Sequence, residues 1–264
     1  MPRIIAISNQ KGGVGKTTTA TNLAAALARA GHPTLLVDAD PQGNATSALG
    51  VSRGEVEHGV ADAILGLAPV AACVVGTQQE KLDLVPATSS LVGVEVELVG
   101  LANRERRLAI ALADLPRAYD FVLIDCPPSL GLLTLNALVA ADGVLIPLQA
   151  EYHAMEGLGE LVRTVTAVRR GPNPRLVREG IVITMSDSRT NLCREVERQA
   201  REVFGPEVFE AVVPRAVRLA EAPSYGRTIF THDPSSRAAQ AYTALAREVV
   251  RRAIGGAGRR EVAS

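Results

Sequence analysis

Hydrophobic positions gather in six short runs, residues 4–8, 34–37, 82–86, 121–124, 144–147 and 181–185. The runs are rich in Ile, Val and Leu and are mostly apolar at consecutive positions. A strand wetted on one face alternates, whereas a strand covered on both faces does not, so these runs predict buried parallel strands. Between them the apolar positions spread to the helical period, over 16–30, 103–115, 130–140 and 153–169. In the last segment Leu158, Leu161, Val162, Val165 and Val168 keep the i, i+3, i+4, i+7 spacing of one helix face. Repeated strand–helix–strand units need right-handed crossovers, which put helices on both faces of one sheet. The predicted class is α/β: a doubly wound, mostly parallel sheet flanked by helices. No repeat or linker-like tract divides the chain. Residues 1–254 are therefore expected to form a single domain, with 255–264 as a flexible C-terminal tail.

Length and composition narrow the functional classes. The 264 residues are 47% hydrophobic and 21% charged, which excludes disordered and collagen-like chains. The apolar runs are far shorter than the ~20 residues that a membrane-spanning helix requires. Met1-Pro2-Arg3 leads straight into the first strand-like run, too short for a secretory leader. Cys73, Cys126 and Cys193 are odd in number and form no CxxC pair, so a reducing cytoplasm is expected. His32, His58, His153 and His232 are isolated and suggest neither a zinc site nor a histidine base. Formal net charge is zero but unevenly spread. Residues 1–158 carry 10 basic against 16 acidic side chains, and residues 159–264 carry 18 arginines against 12 acidic side chains. That asymmetry suits a local anion-binding face, and composition alone fits a solvated arginine-rich surface equally well.

Ligands of a doubly wound sheet bind at the carboxyl ends of the strands, so the first strand–helix turn is the place for chemistry. It reads Asn9-Gln10-Lys11-Gly12-Gly13-Val14-Gly15-Lys16-Thr17-Thr18. The Gly-Lys-Thr ending is that of a phosphate-binding P-loop, but Gln10 stands where the usual pattern has its first glycine. This makes the expected class a deviant P-loop NTPase. Gly12, Gly13 and Gly15 let backbone N–H groups turn towards phosphate oxygens, and the following helix adds its positive end. The nucleotide is expected on Lys11, Gly12, Gly13, Val14, Gly15, Lys16, Thr17 and Thr18. Lys16 would lie at the β- and γ-phosphates and the Thr17 hydroxyl at a Mg²⁺ ion. Lys11 is surplus to gripping the chain's own nucleotide. It is read as reaching a partner's phosphates across a dimer interface, as an arginine finger does. Asp38 and Asp125 close two predicted strands, the second as in a Walker B element, and both are expected at the metal. Asp40, two residues past a strand tip, is expected to orient the attacking water. The catalytic set is thus Lys11, Lys16 and Asp40.

These segments resemble the deviant Walker A ATPases, and within them the ParA/Soj chromosome- and plasmid-partition family. Residues 11–18 are similar to its signature loop, and Asp38-Ala39-Asp40-Pro41-Gln42-Gly43-Asn44-Ala45-Thr46 to its second motif. Asp125-Cys126-Pro127-Pro128-Ser129 with residues 130–136 looks like the third, and 188–192 and 213–226 look like the partition branch. The likeness runs from about residue 3 to 252. It implies ATP and Mg²⁺ as nucleotide and cofactor, and a homodimer with two ATP molecules sandwiched at its interface. It further implies that this dimer binds double-stranded DNA without sequence preference. A ParB/Spo0J-like centromere-binding protein would then stimulate slow hydrolysis, on a cytoplasmic, nucleoid-associated protein. The short stretch before the loop resembles the short members of the family, so the form without an N-terminal helix-turn-helix is expected. By position, Arg189 and Arg218 would contact DNA. Pro214 and Ala216 would line the adenine, with Ala216 where relatives often carry Asn. Nonspecific binding calls for phosphate contacts, which suit arginine. Arg194, Arg198 and Arg201 interleave with Glu195, Glu197 and Glu202 and read as a solvated, ion-paired helix face.

Three rival readings are open to the same loop. A MinD-like membrane-associated ATPase needs a C-terminal amphipathic helix, and the available stripe, Tyr242, Leu245 and Val249, reads instead as packing on the domain, so no membrane partner is expected. A redox protein similar to the nitrogenase iron protein needs two cluster-ligating cysteines per subunit, whereas each cysteine here reads as a small buried hydrophobe. A small-molecule kinase needs an acceptor site, and no motif for one stands out.

Overall fold

The computed structural model describes residues 1–115, 119–151 and 154–261. Its strands are β1 (Arg3–Ile7), β2 (Thr34–Asp38), β3 (Val75–Gly76), β4 (Leu82–Val85), β5 (Phe121–Asp125), β6 (Gly143–Gln149), β7 (Val177–Ser186) and β8 (Val208–Pro214). They form one sheet in the order β3-β4-β2-β5-β1-β6-β7-β8. Every neighbouring pair is parallel except β3 with β4. The early helices are α1 (Lys16–Arg29), α2 (Asn44–Ala48), α3 (Val60–Leu65), α4 (Val70–Cys73), α5 (Val94–Val99) and α6 (Arg107–Ala113). The later ones are α7 (Leu132–Ala140), α8 (Ala154–Arg170), α9 (Asn191–Phe204), α10 (Val217–Glu221), α11 (Ile229–His232) and α12 (Arg237–Glu261).

Consecutive apolar residues serve two cores, one on each face. Along β1, Ile5 and Ile7 join the core formed with α1 and α12, while Ala6 faces the opposite core. Likewise Leu123 of β5 lies on the α1 side, with Val122 and Ile124 on the other. This period of two, apolar in both phases, is why the strands read as unbroken hydrophobic runs.

The six expected strands are present, with β6 and β7 longer than their apolar centres. β7 starts at Val177, before the run at 181–185, because the exposed Val177 and Arg178 already pair with Gly143 and Val144 of β6; the register shifts after Val144, and Gly180 takes φ +154°. β8 is not among the six apolar runs because it is an edge strand with exposed Glu210 in its middle. The helix expected over 103–115 is shorter, Arg107–Ala113, since residues 101–106 turn instead and Asn103 sits at φ +54°. His153, the expected start of the fourth helix, lies outside the described residues, and α8 begins at Ala154. The backbone of α12 is helical to Glu261, so it enters the segment expected as a tail, and residues 262–264 lie outside the described residues.

Candidate active site

β1 lies between β5 and β6, the point where the chain, having wound to one side, crosses to the other. Loops diverge there at the carboxyl ends of the strands and leave a crevice. Register sets what faces it: Asp125 pairs with Ile7 on one side and with Asp38 on the other, so the tips of β1, β5 and β2 are level. The phosphate loop leaves β1 and is tied to the opposite flank. The Asn9 amide donates to Pro147 O at 2.7 Å, and the Thr184 hydroxyl to Val14 O at 2.9 Å. Asn9 Oδ1 in turn accepts the Lys11 N–H. Gly13 and Gly15 take φ of +75° and +84°, left-handed values that favour glycine. Gly12 does not take a left-handed φ. Nothing lies within 4 Å of the place its Cβ would occupy. Gly15 caps α1 without a side-chain bond, and the first turn holds no acidic residue. The positive end of α1 is thus left for an exogenous anion.

The two lysines are held quite differently. Lys16 is buried, and its Nζ donates to Lys11 O at 2.9 Å. Burial lowers its pKa against the opposing pull of Asp125 and Asp40. Lys11 points to the rim, where Nζ pairs with Glu151 Oε2 at 2.7 Å, both side chains partly exposed. That pairing holds the Glu151 carboxyl below its ordinary range.

The three aspartates sit in different surroundings. Asp125 is fully buried, and among the described residues no donor makes a well-formed hydrogen bond to either carboxylate oxygen, the Thr17 hydroxyl being the adjacent one. Burial and the neighbouring Asp38 push its pKa well up, while the adjacent Thr17 hydroxyl and Lys16 favour the ionised form. An orphaned carboxylate beside a hydroxyl is a donor set that fits Mg²⁺, which keeps several waters and asks for one or two protein oxygens. Asp38 is different. Its Oδ2 accepts from Thr46 N and Thr46 Oγ1, both at 2.7 Å, and its Oδ1 from Asp40 N at 3.3 Å. Burial lifts its pKa to about 6 despite those bonds. Asp38's oxygens are thus engaged with the loop and α2, whereas Asp125's oxygens are not. Asp40 is buried at the crevice, its Oδ1 accepting from Gln42 N at 2.9 Å. Cys126, next to Asp125, is buried and its thiol is pushed up by that burial, so it acts as packing.

The other residues expected at the site lie along the same edge, at the ends of β7 and β8, two and three strands from β1. Ser186 pairs with Pro214 at the ends of β7 and β8, and Ala216 precedes α10. Arg189 and Arg218 leave these two strand ends and are highly exposed, at 87% and 66% of side-chain area. Each rests on a carboxylate, Arg189 on Asp187 at 2.7 Å and Arg218 on Glu221 at 3.1 Å. Arg189 holds the Asp187 carboxyl down at about 2. Arg215, which no sequence pattern points to, also helps hold down both Asp187 and Glu151. The signal that could have found it is its place within 213–226, between Pro214 and Ala216. On α9, Arg198 pairs with Glu195 and Glu202, and Arg201 with Glu197, as expected of that face, while Arg194 donates to Asn191 Oδ1.

Residues 2–177 match the family described as an AAA domain. The chain is 53% identical over 261 residues to the chromosome partitioning protein ParA of Myxococcus xanthus, covering 99% of this chain and 92% of that protein. It is 54% identical over 250 residues to the chromosome-partitioning ATPase Soj of Thermus thermophilus, covering 95% and 96% respectively. A solved structure described as cobyrinic acid a,c-diamide synthase from Mycobacterium smegmatis, with a bound ATP analog and magnesium, is 39% identical with a TM-score of 0.78. It covers 90% of this chain and 98% of that one. A mostly parallel, doubly wound sheet with this loop at its switch point defines a P-loop ATPase of the deviant Walker A kind. Within that class the chain belongs to the ParA/Soj family of chromosome-partitioning ATPases.

Proposed function

We propose that this ATPase is a DNA-partitioning switch in which ATP, bound with Mg²⁺, joins two copies face to face. The joined pair then binds DNA without sequence preference, and hydrolysis, stimulated by a ParB-type centromere-binding partner, releases it. The observation that carries the reading is the unequal treatment of the two lysines. Lys16 is buried within its own loop, where a phosphate would satisfy a desolvated ammonium. Lys11 stands at the rim on an exchangeable ion pair with Glu151, where a second subunit's phosphates can take it over. When bound, Mg²⁺ would neutralise charge on the β- and γ-phosphates, and the Thr17 hydroxyl and the Asp125 carboxylate are the groups to hold it. Asp38 organises the loop beside them. Asp40 orients the attacking water, and Pro214 with Ala216 flanks the base. Arg189 and Arg218 supply the phosphate contacts of the DNA face, one set from each subunit. The names of the relatives favour partition over membrane positioning. Among the described residues no helix is long and apolar enough to cross a membrane.

Two variants test the division of labour. Lys11→Ala is expected to bind ATP as a monomer and to lose DNA binding, because two weak faces are no longer joined. Asp40→Ala is expected to bind ATP, dimerise and stay on DNA without turnover. Sedimentation of both with ATP, with and without DNA, decides it. A Lys11→Ala protein that dimerises, or an Asp40→Ala protein that does not, would reverse these roles.

A further inference from the structure

We infer that Arg53 is a positioning residue for hydrolysis, the clamp that aims the Asp40 turn; the inference rests on the water-orienting role proposed for Asp40. Arg53 lies beyond α2, outside the phosphate loop and outside every motif read from the sequence. Its guanidinium donates four hydrogen bonds, all to backbone carbonyls. Nη1 reaches Gln42 O at 2.9 Å and Nη2 reaches Pro41 O at 3.0 Å. On its other side Nε reaches Ala87 O and Nη2 reaches Thr88 O, both at 3.0 Å. One planar group thus rivets the two residues after Asp40 to the segment leaving β4.

The turn depends on that rivet. Residues 39–43 leave the tip of β2 and belong to no strand ladder, and Gly43 sits at φ +65°, a position of low intrinsic restraint. Asp40 itself is oriented through the same turn: its Oδ1 accepts from Gln42 N, and its carbonyl accepts from Gly43 N at 2.9 Å. A shift of Pro41 and Gln42 therefore swings the carboxylate. The far anchor is firm, because Ala87 N donates to Thr46 Oγ1, which is itself bound to Asp38. Room for the guanidinium comes from position 43, where a Cβ would fall 2.7 Å from Arg53 Nε. Glycine there serves both the turn and the passage of the clamp.

An ammonium cannot copy this arrangement, since bonds to carbonyls on two sides require the fixed fork of arginine. The full-length Arg53→Lys, Arg53→Ala, Asp40→Ala and Asp40→Ala/Arg53→Ala variants are compared with the parent for ATP affinity, single-turnover hydrolysis and melting temperature. Both Arg53 variants are expected to bind ATP within about twofold of the parent and to hydrolyse it about 10- to 100-fold more slowly. The double variant should be no slower than Asp40→Ala alone. Parental rates in Arg53→Lys would show that charge suffices and overturn the clamp. Parallel loss of affinity, rate and melting temperature in Arg53→Lys would reduce the residue to a structural role and also overturn it. If Asp40→Ala is inactive while the Arg53 variants keep the parental rate, only the Arg53 inference fails. If Asp40→Ala keeps its turnover, the role of Asp40 fails first and takes the inference with it.

Discussion

Asp125 shows a conflict between a side chain and its surroundings, since among the described residues its fully buried carboxylate accepts no well-formed hydrogen bond. Its native pKa lies well above the ordinary 3.8. A raised native value means that the folded chain holds the proton more tightly than the unfolded one. The stabilisation it contributes is complete below 3.8 and is lost as pH rises through the native value. Asp125→Asn keeps the shape and removes the titration. Without nucleotide or Mg²⁺ the variant should be the more stable protein, by a margin that is larger at about pH 8 than at about pH 5. Urea midpoints at the two pH values check this, and a margin that shrinks with pH would contradict it. Mg²⁺ with ATP should raise the midpoint of the parent more than that of the variant.

Among the helices, α12 decides between two uses of one apolar stripe. Tyr242, Leu245 and Val249 are buried in the core that α12 shares with α1 and β8. The Tyr242 hydroxyl lies 3.5 Å from that of Thr19. The stripe is already covered, so it is not free to enter a lipid surface. Leu245→Ala should lower the unfolding free energy by roughly 2–5 kcal/mol, as expected for a truncated core leucine. Chemical denaturation measures that decrease, and vesicle sedimentation with ATP should find the parent and the variant equally unbound. Lipid binding by the parent that Leu245→Ala abolishes would return the stripe to the membrane reading.

Across the molecule, topology gathers separate sequence segments along one edge of the sheet. The phosphate loop, Asp38, Asp125 and the loops carrying Arg189 and Arg218 all lie at the carboxyl ends of parallel strands. The basic excess of residues 159–264 places exposed Arg189 and Arg218 on this edge, while Arg178, Arg198 and Arg201 sit in local pairs with Glu207, Glu195 and Glu197. In the proposed function, DNA phosphates would draw Arg189 and Arg218 away from Asp187 and Glu221, an exchange between exposed ions that costs little. Arg189→Ala or Arg218→Ala should keep ATP-dependent dimers and weaken binding to DNA of any sequence. The log–log salt slope should flatten by about 0.9 for each phosphate that is no longer neutralised. DNA titrations across a salt series test this. Unchanged affinity and slope would make both arginines ordinary surface.

Features that rest on short-range spacing were legible in the chain alone. Six strands could be read because burial on both faces demands consecutive apolar residues, and the phosphate loop because its glycines and lysines are contiguous. Edge strand β8 could not, since exposed Glu210 interrupts its apolar pattern. Features that join residues distant in the chain waited for the folded arrangement. Asp38 and Asp125 look equivalent as strand-end carboxylates; Thr46 folding back onto Asp38 makes one a loop anchor and leaves the other open. Glu151 is the counter-ion of Lys11, 140 residues away, because β6 lies beside β1. Arg53 is a clamp because the turn after β2 and the segment after β4 leave neighbouring parallel strands. A side chain's type limits the bonds it can make, but the register of the strands chooses the partners it meets.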